Sequence, residues 1–349
     1  MVTNSRQCGF RIVFMGSSEA SATTLRAILK SPLLNVVAVV TQPDRPSGRR
    51  RHLTPCACKA YAAQRGLTNI ITPEKVNTPD VVAQIEALKP DVIVVVAFGQ
   101  FLGKRLLAIP PHGCVNGHFS LLPKYRGAAP VQAAIAAGEE VTGVTIMQMD
   151  VGMDSGDILL KAIEPICSDD TAVTLMERLA ILGAVSMVKA LKQMMDGTLK
   201  REPQDHTLAT YAPKMQKNDG LIDWSLPAAT ISRRIRAYDP WPGAFTFLPM
   251  RFSKPGVSTR LKVLQAEILK MYASTSEKVA PGVLCTVSPL GPVIKTGDYP
   301  LCLTEVQPDG SRRMDGKSFL NGRQLQVGDQ LGENPESAAG DAPAKTPGL

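Results

Sequence analysis

A run of five branched aliphatic residues, Val-Ile-Val-Val-Val at positions 92–96, constrains the fold more than any other part of the sequence. Such continuous runs are typical of strands buried on both faces, as in a parallel sheet covered by helices on each side. Strands are predicted at 11–15, 36–41, 92–98, 114–118 and 144–149, and several of them are near-continuous runs of Val and Ile. Helical patterns lie between them, at 21–30, 55–65, 79–88, 130–137 and 172–195. This alternation predicts an α/β domain with a doubly wound, Rossmann-like, mostly parallel sheet.

The second half of the chain has a different pattern. Residues 200–219 are polar and contain two prolines without a periodic apolar face, which indicates a linker. A helix is expected over 227–238, with Ser225 as its N-cap. Short β-like runs separated by Gly and Pro follow, at 244–248, 261–268, 282–287, 293–296 and 301–306. We therefore predict an α/β domain over 1–199, a linker over 200–219, a small OB-like β-barrel over 220–331 and a disordered tail over 332–349.

Composition limits the class of protein. The net charge of +8 suits a polyanionic partner, although it also serves solubility. The N-terminus is polar and no apolar run approaches the roughly 18 residues of a membrane span, so we expect a cytoplasmic protein without a membrane partner. The seven cysteines are scattered and odd in number, which indicates reduced thiols, with Cys114 and Cys302 in the core.

Two loops exclude common ligand sites. The turn after the first strand has one glycine, Gly16, where a dinucleotide-binding loop needs three, which argues against an NAD-dependent dehydrogenase. The acidic loop at 150–157 begins like a calcium loop, but Lys161 stands where a bidentate glutamate is required. We therefore predict no metal site.

The densest chemical signal is the pair Asn116 and His118, two residues apart at the end of a predicted buried strand. Period-two geometry places both side chains on one side of the strand, and catalytic groups of such sheets lie at strand carboxyl ends. Asp154, in the loop after the next strand, is a candidate partner for His118. The alternatives are a structural histidine, an asparagine that caps a turn, and a simple Gly-Asp turn.

The motifs around these residues resemble the methionyl-tRNA formyltransferase family. The resemblance begins with the patterns N-x-H-x-S-L-L-P-x-Y-R-G-A-A-P at 116–130 and T-G-V-T-I-M-Q-M-D-x-G-x-D-x-G-D at 142–157. It extends through further segments at 41–48, 97–100, 222–224 and 236–244. It therefore covers nearly the whole chain except its ends.

The resemblance implies transfer of a formyl group from 10-formyltetrahydrofolate to the α-amine of initiator methionyl-tRNA, with tetrahydrofolate released. Asn116 and His118 are expected to stabilise the tetrahedral oxyanion, and Asp154 to orient and charge His118. The folate site is expected to use Ser120, Leu121, Leu122, Pro123, Phe98, Gly99, Met149 and Asp150. No metal is implied, and the family is usually monomeric.

The resemblance also assigns a role to the basic loop at 45–52. It is expected to insert at the tRNA acceptor end through Arg45, Arg49, Arg50 and Arg51, because arginines bind phosphates with a fixed, permanent charge. The family's second domain is a barrel. Here its basic residues are expected to track phosphates, although scattered solubilising charge is the alternative for any one of them. They are Arg233, Arg234, Arg236, Lys254, Arg260, Lys262, Arg312 and Arg313.

Three departures from the family pattern stand out. Gly117 replaces the usual Val or Ile between Asn116 and His118, Ser18 and Ala20 alter the first loop, and Phe98 replaces a tyrosine. The residue at 117 should point away from the pocket into the core, so that Gly117 affects strand stiffness more than chemistry.

Three other functions compete with this interpretation. Sugar-nucleotide formyltransferases share the N-terminal motif but need no cluster of arginines at 49–51. Glycinamide ribonucleotide transformylases share the site but end near residue 200. A catalytically silent RNA-binding protein would keep the basic surfaces without needing Asn116, His118 and Asp154 together.

Overall fold

The computed structural model describes residues 9–47, 52–252, 259–270, 279–323 and 325–332 of the 349-residue chain. The described residues form two compact units, the first made mainly of residues up to 214 and the second mainly of residues from 215 onward. The predicted tail at 332–349 lies outside the described residues, except for Gly332.

The first unit contains eleven strands and six helices within the described residues. The strands are β1 (Phe10–Gly16), β2 (Leu34–Val40), β3 (Arg45–Ser47), β4 (His52–Thr54), β5 (Ile70–Ile71), β6 (Val92–Val96), β7 (Cys114–His118), β8 (Arg126–Gly127), β9 (Val141–Gln148), β10 (Ile158–Pro165) and β11 (Tyr211–Ala212). The helices are α1 (Glu19–Leu29), α2 (Ala57–Gln64), α3 (Pro79–Ala87), α4 (Lys104–Leu107), α5 (Pro130–Ala137) and α6 (Ala172–Met195).

Seven of these strands form the central sheet, in the order β10-β9-β7-β6-β1-β2-β5. The five strands from β5 to β7 in that order pair in parallel, and every residue of β6 is at most 5% exposed. The predicted Rossmann-like, mostly parallel sheet is therefore confirmed. Sequence patterns did not reveal that β9 runs antiparallel to β7, or that β10 continues the sheet beyond it.

The first part of the predicted linker is bonded to the first unit. Glu202 forms a bridge with Ile158 at the start of β10. Further along, β11 pairs in parallel with the two-residue strand β8. The domain bounds stay a prediction, and the structure adds that residues up to 214 share contacts with the first unit.

The second unit is built on an antiparallel sheet. Its strands are β12 (Phe245–Phe247), β13 (Arg260–Ile268), β14 (Leu284–Ser288), β15 (Gly291–Ile294), β16 (Leu301–Pro308) and β17 (Met314–Asp315), and its helices are α7 (Ala228–Ala237) and α8 (Gly316–Arg323). The strand order is β12-β13-β16-β15-β14, and β17 pairs with β16. The strands and both helices contribute buried apolar residues to a core that includes Trp224. The predicted separate β unit is confirmed.

The expected N-cap of α7 is wrong. The Ser225 hydroxyl donates to the carboxylate of Asp223, and Pro227 occupies the N-cap position. The first amide of the helix, that of Ala228, instead donates to Oδ1 of Asp298 at 2.6 Å. A distant carboxylate therefore satisfies this helix end, which favours negative charge.

The two predicted core thiols are confirmed as buried, with Cys114 1% and Cys302 0% exposed. Burial raises the pKa of Cys114 to about 12 and also raises that of Cys302. Among the described residues, no helix is long and apolar enough to cross a membrane.

Candidate active site

Strand β7 presents the two candidate catalytic residues of the central sheet. Asn116 is half-buried, and its carboxamide has no hydrogen-bond partner among the described residues, whereas His118 is 5% exposed. A Cβ added at Gly117, between them, would lie 3.5 Å from Cγ2 of Val96 and 3.6 Å from Cε of Met187. Position 117 therefore faces the core, as expected, while its neighbours alternate to the other side.

The His118 ring is held by main chain on one side and faces a carboxylate on the other. Its Nε2 lies 2.8 Å from the carbonyl oxygen of Tyr125. Because a carbonyl only accepts hydrogen bonds, Nε2 carries a proton in this arrangement. The other ring nitrogen, Nδ1, lies 3.6 Å from Oδ2 of Asp154, which is within ion-pair range but beyond a normal hydrogen bond.

Asp154 reaches His118 from the loop between β9 and β10. Its Oδ2 accepts a hydrogen bond from the backbone amide of Gly127 at 2.8 Å, and its side chain is 17% exposed. The backbone of Asp154 has a φ of +50°, a conformation that non-glycine residues adopt at a cost of about 1–3 kcal/mol. The carboxylate is therefore held in place by contacts outside its own loop.

The short pairing of β8 with β11 supplies the amide that holds Asp154. The amides of Arg126 and Ala128 donate to the carbonyls of Thr210 and Ala212, at 2.8 and 2.9 Å. The Gly127 amide between them points the other way, toward Asp154. A side chain at Gly127 would clash with the Ala212 carbonyl oxygen, 2.6 Å from an added Cβ, so this approach requires glycine.

Unusual backbone conformations cluster around these residues. Among the described residues, four non-glycine positions have positive φ, and three of them are Ala97, Tyr125 and Asp154. Ala97 follows strand β6, the neighbour of β7, while Tyr125 and Asp154 contact His118 directly. Strained backbone of this kind is concentrated at functional sites, which supports an active site at this position.

Two of the four residues expected to bind folate in the loop at 120–123 have buried side chains. Ser120 is fully buried and its hydroxyl donates to the Lys124 carbonyl at 2.6 Å, while Leu122 is 1% exposed. The Thr145 hydroxyl donates to the Ser120 carbonyl and accepts from the Leu122 amide. These side chains stiffen the loop. Two others remain half-buried and available for contact, Leu121 and Pro123.

The other expected folate residues lie on two turns. Phe98 is buried, and its carbonyl accepts a hydrogen bond from Nε2 of Gln42 at 3.1 Å, while Gly99 has a φ of +83°. Met149 is half-buried. The exposed Asp150 closes its own turn by accepting from the amide of Gly152 and the hydroxyl of Ser155. The folate assignments stay predictions.

The basic loop joins two paired strands. β3 and β4 form an antiparallel ribbon in which Arg45 pairs with Thr54 and Ser47 with His52. The exposed Arg45 side chain lies 3.9 Å from a carboxylate oxygen of Glu74. The three arginines expected to contact tRNA, Arg49, Arg50 and Arg51, lie outside the described residues.

The basic residues of the second unit differ in how they are bonded. Arg313 makes a two-pronged ion pair with Glu305, and Arg236 donates to the carbonyl of Asp170 at 2.7 Å. Burial lowers the pKa of Arg236. Lys262 is exposed and has no such bond to any described residue. Lys254 lies outside the described residues.

Two buried polar residues beside Asp154 had no predicted role. Arg126 is 4% exposed and Gln204 is 5% exposed, and they are bonded to each other. The only sequence signal for the first is an arginine within the loop that follows His118. Gln204 gives none, because it lies in the polar stretch that reads as a linker.

Comparisons with known proteins define the class. Residues 10–191 match the formyl transferase family, and residues 214–324 match the formyl transferase C-terminal domain. A sugar 3N-formyl transferase crystallised with dTDP and 5-N-formyl-tetrahydrofolate has a similar fold, with a TM-score of 0.58 over 87% of this chain and 99% of that one, at 18% identity. HypX from Aquifex aeolicus in complex with tetrahydrofolic acid gives a TM-score of 0.56 over 91% of this chain and 48% of its own, at 17% identity.

Closer relatives specify the member of this class. Methionyl-tRNA formyltransferase from Desulfotalea psychrophila is 44% identical over 92% of this chain and 95% of its own length. The enzyme of the same name from Citrifermentans bemidjiense is 43% identical over 94% of this chain and 98% of its own. The chain belongs to the methionyl-tRNA formyltransferase family.

Proposed function

We propose that the chain transfers the formyl group of 10-formyltetrahydrofolate to the α-amino group of initiator methionyl-tRNA, with Asn116, His118 and Asp154 as its catalytic residues. The observation that carries the proposal is the Asn116 carboxamide, which has no hydrogen-bond partner among the described residues and lies on the same strand as a histidine that faces a carboxylate at 3.6 Å. Relatives named for this reaction over nearly their whole length support the choice of substrates.

The reaction needs a donor for negative charge and a route for one proton. The α-amine attacks the formyl carbon, and the carbonyl oxygen becomes an oxyanion. The bond from carbon to the folate N10 then breaks, N10 takes a proton and the former amine loses one. N-formylmethionyl-tRNA and tetrahydrofolate leave. A free carboxamide such as that of Asn116 can donate to the oxyanion, and such a donor typically contributes a factor of about 10²–10³.

We propose different tasks for the two nitrogens of His118, based on the contacts that each one makes. Nε2 is bonded to the Tyr125 carbonyl and fixes the plane of the ring. Nδ1 is therefore the nitrogen that exchanges a proton with the reacting groups, or donates to the oxyanion. Asp154 stands beside Nδ1, and its carboxylate is proposed to orient the ring.

The residues expected at the folate site suit a flat, polar ring system. Ala97 and Gly99 are exposed, and the backbone of this turn is proposed to bond to the edge of a pterin. Leu121, Pro123 and Met149 are half-buried apolar side chains that can contact its faces. The donor supplies the activated formyl group, and the protein binds and orients it.

The tRNA is expected to bind through basic residues. The chain carries +8 net charge, and Arg45 with the three arginines at 49–51 lies on the β3–β4 segment. These residues are proposed to contact phosphates at the acceptor end, with the second unit adding nonspecific contacts. A monomer suffices, because all three catalytic residues belong to the first unit of one chain.

A substrate panel tests this function. The protein is incubated with 10-formyltetrahydrofolate and, separately, methionyl-tRNA, an amino-sugar nucleotide or glycinamide ribonucleotide. We expect labelled formyl only on methionyl-tRNA. Transfer to the amino-sugar nucleotide or to glycinamide ribonucleotide, but not to tRNA, would contradict the proposal and identify that small molecule as the formyl acceptor. Transfer to none, with tRNA still bound, would indicate a silent RNA-binding protein.

A further inference from the structure

A buried arginine lies next to the active site, and no carboxylate in the described part of the chain pairs with it. Arg126 is 4% exposed, and none of its nitrogens lies within 4 Å of a carboxylate among the described residues. Its Nε and Nη2 both donate to Oε1 of Gln204, at 3.2 and 2.6 Å, and Nη2 lies 3.0 Å from Nδ1 of His206. Burying a guanidinium without a counter-charge destabilises the fold, so stability does not explain Arg126.

Gln204 connects Arg126 to the loop that carries Asp154. Its Nε2 donates to the carbonyl of Asp154 at 2.8 Å and to that of Gly156 at 2.7 Å. The positive guanidinium at Oε1 fixes the orientation of the amide, because a flipped amide would place NH₂ against Arg126. Both amide hydrogens must therefore face the loop.

The loop needs this bond because of its backbone. Asp154 has a φ of +50°, and its carboxylate is oriented by the Gly127 amide. The main chain is fixed by Gln204 and the side chain by Gly127, so that both constraints come through strand β8 and its neighbours. Without the first constraint, the peptide at Asp154 can relax to an ordinary conformation and carry the carboxylate away from His118.

We propose that Arg126 and Gln204 are positioning residues, which hold Asp154 against Nδ1 of His118 and thereby set the rate of formyl transfer rather than substrate binding. This inference rests on the catalytic role proposed above for Asp154. Neither side chain needs to touch a substrate, because their polar atoms bond to each other, to His206 and to the carbonyls of the Asp154 loop.

The variant Gln204→Glu distinguishes the bond that the Gln204 side chain accepts from Arg126 from the bonds that it donates to the Asp154 loop. A glutamate keeps an acceptor for Arg126 and gives it a counter-charge, but it has no hydrogens for the carbonyls of Asp154 and Gly156. We expect kcat for methionyl-tRNA formylation to fall about 10- to 100-fold, with both KM values and the melting temperature close to those of the unmodified protein. Arg126→Lys, which keeps the charge but not the two-pronged bond, should lower kcat in the same way.

Glu202→Gln is the matched control. Glu202 lies two residues away on the same segment, is exposed, and bonds to Ile158 through its backbone only. It should leave kcat unchanged. The nitrogen chemical shift of Nδ1 in His118 should move in Gln204→Glu and stay in place in Glu202→Gln, a readout that general destabilisation does not produce.

A double-mutant cycle with Asp154→Asn tests whether Gln204 influences kcat through Asp154. If Gln204 acts through Asp154, Gln204→Glu causes no further loss in an Asp154→Asn background. An equal loss in both backgrounds, or a normal kcat for Gln204→Glu beside a slow Asp154→Asn, would overturn the positioning role alone. A normal kcat for Asp154→Asn would instead remove the catalytic proposal on which it rests.

Discussion

The active-site edge of the first unit and the surface of the second unit use polar residues in opposite ways. At the active site, a single polar atom can bond to more than one group far away in the sequence. The Nε2 atom of Gln204, for example, donates to two carbonyls about 50 positions away along the chain. In the second unit, charged residues form exposed pairs such as Arg313 with Glu305, or have no bonded partner among the described residues, as with Lys262. Single substitutions should therefore have large effects on rate in the first region and small, additive effects on tRNA binding in the second.

The largest effect is expected from the core of the second unit. Trp224 is 5% exposed and donates to the Thr246 hydroxyl at 3.1 Å. Trp224→Ala should destabilise this unit by about 3–5 kcal/mol, measured by urea unfolding. Trp241→Ala is the control, because Trp241 is 56% exposed and should change the free energy of unfolding by less than about 0.5 kcal/mol. Equal losses would show that the packing around Trp224 is not what stabilises the unit.

The next effect concerns the oxyanion. Asn116→Ala removes a side chain that has no hydrogen bond to the described residues, so its loss should spare the fold. We expect kcat to fall about 10²–10³-fold with little change in the melting temperature. Asn218→Ala, at an exposed position in the second unit, should keep the full rate. Normal turnover of Asn116→Ala would remove this residue from the chemistry.

A smaller effect is expected on the second unit's surface. Lys262→Gln should reduce the slope of log Kd for tRNA against log salt by about 1, because one phosphate contact is lost. Arg313→Gln should leave the slope nearly unchanged, since Glu305 already neutralises this arginine. Binding of tRNA measured at several salt concentrations distinguishes the two variants. Identical slopes for both would mean that Lys262 contacts no phosphate and that its charge serves solubility.

The smallest effect is expected at Gly117, which stands in strand β7 where the family usually has Val or Ile. An added Cβ at Gly117 meets its neighbours at ordinary contact distances, so Gly117→Ala should stabilise the protein by about 0.5–1 kcal/mol without changing kcat. Gly143→Ala, on the adjacent strand β9, should do the opposite, because its Cβ would lie 2.6 Å from Cδ2 of Leu121 and closer still to the Ala162 carbonyl. Chemical denaturation measures both. A destabilised Gly117→Ala would mean that the strand requires glycine.

Regular elements with one apolar pattern could be predicted from the sequence. Helices α5 and α6 and strand β7 have the predicted bounds. In the long helix α6, apolar residues recur at helical spacing, which marks its extent. Strand β10 was missed because it is a sheet edge whose residues alternate between exposed and half-buried over much of its length. Likewise, the direction of β9 depends on pairing with β7, which no local pattern encodes.

The site residues that could be predicted from the sequence are those that lie at or just after the ends of predicted strands. Asn116 and His118 share a strand, and Asp154 does lie beside His118. The residues that hold Asp154 were not predictable, because they act through backbone atoms. Gly127 contributes only an amide and Gln204 bonds only to carbonyls among the loop's atoms. Such contacts leave no periodic signal, and the stretch containing Gln204 therefore reads as a linker.

The division of labour between chemistry and tRNA binding is tested most directly by single-turnover formyl transfer at increasing methionyl-tRNA, with Asp154→Asn and Arg49→Ala compared. Asp154→Asn should lower the rate at saturating tRNA, by a factor of at least about 10. Arg49→Ala should reach the full rate but require more tRNA, with donor binding unchanged. A full rate for Asp154→Asn would contradict the assignment of catalysis to Asn116, His118 and Asp154. A reduced rate at saturating tRNA for Arg49→Ala would contradict the assignment of this arginine to tRNA binding alone.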